Sequence, residues 1–203
     1  MINMKKGVLL FSVLSLILGC ATLPPVKNPQ NTELNLPSQH RIEGIKPIKQ
    51  DYLGCVPACV EMVLNFYGRE LNKDAIAKWI QGARGTTSGE LEQFVNWNGF
   101  NAYRFADWRS SKSKIKYFLS QDYPVLVGGN LGFVEFGHMI VLIGYDDSMM
   151  MVWEGKQSKG VFFACEPTSG KIIGIRYDTF AEFHRGQLGP IQYYGLVVYP
   201  KGR

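Results

Sequence analysis

The chain has 203 residues, of which 46% are hydrophobic and 19% charged, and a net charge of +5 at pH 7. That hydrophobic content excludes a disordered chain, and the length beyond the N-terminal region suits one domain with its own core. The positive charge is moderate and its lysines and arginines are scattered, which speaks against a nucleic-acid-binding face. The one tight basic run, Lys112, Lys114 and Lys116, is expected on the solvated face of a helix.

The N-terminus reads as an export signal. Lys5 and Lys6 precede an apolar stretch over residues 8–18, interrupted only by Ser12 and Ser15. The stretch is shorter than the roughly 20 apolar residues of a membrane-spanning helix and matches the hydrophobic region of a secretory signal. It ends in Ile17-Leu18-Gly19-Cys20, which resembles the lipobox of bacterial lipoproteins. That resemblance implies cleavage before Cys20, diacylglycerol on its sulfur and acylation of the new N-terminus, a stable membrane anchor. Ala21, in place of an aspartate, implies the outer membrane, with the protein facing the periplasm. Residues 22–40 are rich in Pro, Asn and Gln and lack hydrophobic periodicity. The expected division is therefore a signal peptide over 1–19, a flexible tether over 20–40 and a folded domain over 41–203.

Within the domain, residues 50–68 begin irregularly and then turn helical. Pro57 suits a first helical turn, Val60, Val63, Leu64 and Tyr67 form an apolar stripe, and Gly68 stops it. A second helix is expected from an Asn72 N-cap to Gly82, burying Ile76, Trp79 and Ile80. A third opens at Thr87-Ser88-Gly89-Glu90, a capping box, turns Leu91, Phe94 and Val95 inward and ends at Gly99. A short strand over 102–105 follows, then a helix over 111–120 carrying Ile115, Phe118 and Leu119. After Pro124 the pattern changes to short β-branched or aromatic runs separated by turn residues. Strands are expected over 125–127, 138–145, 149–153, 161–165, 172–176 and 193–199, with a brief helix over 178–183. Helices first and strands second predict an α+β domain, N-terminal helices packed on a C-terminal antiparallel sheet.

Three cysteines follow Cys20, namely Cys55, Cys59 and Cys165, and an odd number outside the cytoplasm leaves at least one thiol unpaired. Cys55 lies just before the helix that Pro57 opens, where the helix dipole and unpaired amides are expected to lower its pKa. The thiolate is the attacking form, so this is the setting of a nucleophile. Gln50, five residues upstream, is a candidate oxyanion donor beside the Cys55 backbone amide. The base requires a histidine on a rigid element. His40 falls in the tether and His184 in a polar Phe-His-Arg-Gly turn, which leaves His138 at the head of the strongest strand. Glu166, at a strand end before Pro167, stands where a group orienting the imidazole is needed. Asp146 and Asp147 are fallbacks, expected to lie too far along the His138 strand.

Other groups near this constellation have plainer readings. Cys59, one helical turn beyond Cys55, is expected to pack beneath the site. A Cys55–Cys59 bridge would be strained, and Cys59 with Cys165 is a second conceivable pair. The Cys-x-x-x-Cys spacing with His138 lacks a second Cys/His pair for zinc, so no metal or cofactor is expected. Gly128, Gly129, Asn130 and Gly132 lack the context of a phosphate loop and are expected beside the cleft.

Together these motifs resemble the papain-like cysteine peptidases, and more closely the double-glycine, bacteriocin-processing peptidases and their stand-alone relatives. The resemblance is carried by Gln50, Cys55-Val56-Pro57-Ala58, Asn65-Phe66-Tyr67-Gly68, Gly137-His138 and Gly144-Tyr145-Asp146-Asp147. It implies a papain-like fold with Cys55 as nucleophile, His138 as base, Gln50 in the oxyanion hole and Glu166 as the acid. The implied activity is hydrolysis of peptide bonds in a peptide or protein substrate. Val56 stands where the family has glycine, and Glu166-Pro167 where it has aspartate-proline. The extra methylene of glutamate requires its backbone to sit about 1.5 Å farther back. Two other functions would use the same residues: an inactive peptidase-like lipoprotein that holds a partner in the cleft, and an acyl-transfer or amidase enzyme. The cytosolic leader substrates of transporter-linked members are not expected for an exported domain.

Overall fold

The computed structural model describes residues 35–80, 86–106, 108–130, 137–185 and 194–202. Residues 1–34, over which the signal peptide and Cys20 are expected, lie outside them, as do Gly82 and Gly132.

Helix α1 (Cys55–Phe66) buries Pro57, Ala58, Cys59, Val60, Met62, Val63 and Leu64. It stops at Tyr67, after which Gly68 reverses the chain at a φ of 79°. Helix α2 (Lys73–Ile80) starts where the Asn72 Oδ1 accepts a hydrogen bond from the Ala75 amide at 2.8 Å. Ile76 and Ile80 fill the narrow face this short helix turns inward. Trp79, expected in the core, flanks that face at 71% exposure and meets exposed Trp97 edge-on instead. Helix α3 (Ser88–Trp97) carries the expected capping box at both of its bonds and buries Leu91, Phe94 and Val95.

The sheet is antiparallel throughout. Its strands are β1 (Gln39–Arg41), β2 (Phe100–Phe105), β3 (Val125–Gly129), β4 (His138–Trp153), β5 (Lys156–Glu166), β6 (Lys171–Arg176) and β7 (Gly195–Pro200). The order is β2-β7-β3-β4-β5-β6, with β1 pairing the part of β4 that lies beyond the end of β3. Two strands expected over 138–145 and 149–153 are one. The Asp146 carboxylate accepts from the Ser148 and Met149 amides, and the register with β5 shifts there, so a bulge absorbs the polar segment without ending the strand. A Cβ at Gly144 would lie 2.5 Å from the His40 carbonyl oxygen, so β1 sits where it does because position 144 is glycine.

Helix α4 (Trp108–Ser120) buries Ile115, Phe118 and Leu119, and α5 (Tyr177–Arg185) buries Phe180, Phe183 and His184. Three readings change here. His40 belongs to β1, and its Nε2 meets the Asp122 carboxylate at 2.8 Å. His184 is not in a polar turn: it stacks on Phe180, and its Nδ1 lies 3.2 Å from the Gly128 carbonyl oxygen. The basic run is solvated at Lys112 but not at Lys116. Lys112 sits over the Tyr177 ring, while Lys116 donates to Asp147 at 2.5 Å and covers the Tyr145 ring.

Candidate active site

The site is assembled where the start of α1 packs on the start of β4. Gly54 is the N-cap of α1, and its amide donates to the Asp51 carbonyl at 3.0 Å, closing a turn over 51–54. Lys73 of α2 holds the Asp51 carboxylate from outside. This turn delivers Cys55 as the first helical residue, half-buried, with its sulfur accepting from the amides of Met139, Val56 and its own residue. The Cys55 pKa does not fall as expected from the helix dipole. Burial pushes it up, the nearby Glu166 charge adds to that, and the three amides offset only part.

His138 opens β4 and is 7% exposed. Its Nε2 lies 2.9 Å from Glu166 Oε1. The longer acid side chain is therefore in reach, and the reason is its own turn. Glu166 Oε1 also accepts from the Thr168 amide at 2.8 Å, and Oε2 from the Ser169 amide at 2.7 Å. Burial works to raise the Glu166 pKa, but these bonds outweigh it and hold the carboxyl at about 2. Gly170 completes the turn at a φ of 65°, its amide bonded to the Glu166 carbonyl at 2.9 Å. The turn docks on the strip before the cysteine: the Gln50 amide donates to the Pro167 carbonyl at 2.7 Å. The Gln50 Oε1 is buried and meets no hydrogen-bond partner among the described residues.

Thus Cys55, His138, Glu166 and Gln50 are brought to one region by four segments. Asp146 and Asp147 are not: Asp146 is engaged with Ser148 and Met149, and Asp147 with Lys116 and Tyr177. Cys55, Cys59 and Cys165 are all free thiols, so neither conceivable bridge forms. Among the described residues, no group of three or more His, Cys, Asp and Glu could hold a metal ion. The amides of Thr168 and Ser169 were not anticipated, although Thr168-Ser169-Gly170 is a turn-forming run that could have suggested them. Surface grooves lie elsewhere among the described residues. One of about 650 Å³ runs from Gly44 and Ile48 to Phe66, and one of about 250 Å³ is lined by Leu71, Phe94, Trp79 and Trp97.

Residues 38–160 match the model of the Peptidase C39 like family. The chain belongs to that family. Solved C39 domains share its fold at low identity. The peptidase domain of Streptococcus ComA, a bifunctional ABC transporter of a quorum-sensing pathway, is 17% identical with a TM-score of 0.58, covering 78% of this chain and 100% of its own. A double-glycine-motif protease from an AMS/PCAT transporter, solved with a leader peptide, is 15% identical with a TM-score of 0.54, covering 80% and 99%. A Bacillus anthracis protein described as a C39-like peptidase is 13% identical with a TM-score of 0.62, covering 81% and 99%. No curated protein matches the chain. The C39-like architecture, mixed helices with an antiparallel sheet, is the α+β class expected.

Proposed function

We propose that this C39-like chain is a cysteine peptidase that works from a lipid anchor on a bacterial membrane. The observation that carries the reading is the 2.9 Å contact between His138 and Glu166 at the head of β4, where the next amide holds the Cys55 sulfur. An ionised Glu166 only accepts, so the neutral imidazole carries its proton on Nε2 and leaves Nδ1 as the base. Burial favours the neutral thiol, so the thiol proton leaves as His138 takes it, during attack on the scissile carbonyl. The Gln50 side-chain amide and the Cys55 backbone amide would hold the oxyanion. His138 then returns the proton to the leaving amine, and water releases the acyl group from sulfur.

The substrate class is a peptide or protein outside the cytoplasm. A relative of the same fold was solved with a leader peptide. Export, lipidation at Cys20, and an outer-membrane address facing the periplasm follow from the N-terminal sequence alone. The test is product analysis by mass on a peptide library, with full-length protein in detergent. Hydrolysed peptides that vanish with Cys55→Ala and with His138→Ala are expected. Aminolysis products would instead indicate acyl transfer, and an unchanged library would indicate a binding protein. Labelled palmitate should enter the chain and be lost with Cys20→Ser; retained label would overturn the anchor.

A further inference from the structure

We infer that Cys59 is a positioning residue of this site, holding the start of β4 so that His138 and the Met139 amide stay against Cys55. The inference rests on the peptidase reading. β3 accompanies β4 to its first residue, pairing Gly129 with His138. β5 does not: its pairing with β4 stops at Cys165 and Val141. On that side the backbone of Met139 has no strand to bond. Within an antiparallel strand the N–H and C=O of one residue point to the same side. Both groups of Met139 are met by α1 instead. Cys55 accepts from its N–H, and the Cys59 thiol donates to its C=O at 3.3 Å.

Cys55 and Cys59 are four residues apart in α1 and so lie on one face of the helix. The pair of thiols takes the place of the missing strand partner. Cys59 is fully buried, and burial holds its pKa well above the ordinary thiol range, so it remains an S–H donor. Without that donor the Met139 carbonyl would be buried and unpaired, and the start of the strand would shift to find a partner. The shift would move His138, whose place relative to Cys55 is what the chemistry needs. Packing alone would not require a donor at position 59, since any apolar residue of similar volume would serve.

The test separates donor from bulk. Cys59→Ser keeps a donor on the same Cβ, on a shorter bond that a small strand movement takes up. Cys59→Val keeps the apolar bulk and removes the donor. Iodoacetamide alkylation of each cysteine is followed by mass across pH on full-length protein, together with Tm. The valine variant should alkylate Cys55 at neutral pH about fivefold more slowly than wild type, the scale of one lost hydrogen bond. The serine variant should stay within about twofold of wild type, its hydroxyl keeping the Met139 carbonyl paired, and Tm reports that both variants are folded. Cys59→Ala replaces valine if the branched side chain prevents folding. Valine matching wild type, or serine as slow as valine, overturns the positioning role. A wild-type Cys55 indifferent to His138→Ala overturns the peptidase reading itself, and the role of Cys59 with it.

Discussion

Glu166 accepts from His138 and from two amides of its own turn, and these bonds bring a glutamate within reach of the imidazole. Its carboxyl, held at about 2 against an ordinary 4.5, contributes stability that is complete above pH 4.5 and is lost as pH falls toward 2. Glu166→Gln should lower stability at neutral pH by roughly 2 kcal/mol and flatten that acid limb. An unchanged limb in pH-dependent urea unfolding would contradict the bonding described. His184 acts in a different window. Burial lowers its pKa from 6.5 to about 4, and the Gly128 carbonyl offsets only part of that. The unfolded chain therefore takes a proton first, and stability falls as pH drops from 6.5 to 4. His184→Gln should remove that slope, read as Tm against pH. At this scale the sequence named Cys55, His138, Glu166 and Gln50 because residue type and spacing carry them. It missed the sign of the Cys55 shift, because the dipole argument counts charge and not the burial that only packing creates.

The elements were most legible where local chemistry ends them. Asn72 and the Thr87–Glu90 box cap α2 and α3 as expected, since both bonds form within one turn of helix. Thr87→Ala should cost about 1 kcal/mol in urea unfolding, and a change under a few tenths would show that the box is idle. Elements set by distant partners were less legible. The Asp146-Asp147-Ser148 run reads as a turn, yet it is a bulge in β4 because β5 continues past it on one side. His40 reads as tether, yet residues 39–41 pair with β4. That pairing depends on Gly144, where even a methyl group would strike the β1 backbone. Gly144→Ala should therefore expose the 37–42 segment to limited proteolysis while Cys55 keeps its reactivity. Protection equal to wild type would contradict the close approach.

On the scale of the whole molecule, the division into helices and sheet followed from the change of periodicity after Pro124. The strand order did not. Nothing local says that the last strand, β7, inserts between β2 and β3, because its partners lie roughly 95 residues away in β2 and roughly 70 residues away in β3. The same long-range closure builds the site, since Cys55 comes from the helical half and His138 and Glu166 from the sheet half. The chain leaves toward its N-terminus from β1, which pairs with Gly144, Tyr145 and Asp146, well along β4 from the His138 end. An anchor at Cys20 would thus hold the domain by a point distant from the reacting groups.

If Cys55 and His138 work as a pair, the imidazole speeds the reaction of the thiol with an alkylating agent. Full-length wild type and His138→Ala are treated with iodoacetamide at pH 7, and modification of Cys55 is timed by mass. Removing the imidazole should slow Cys55 by about a hundredfold, the lower end of what a positioned base contributes. Cys59 and Cys165, both buried, should stay unmodified in either protein. Equal rates at Cys55 in the two proteins would contradict the pairing and leave this C39-like domain as a binding protein.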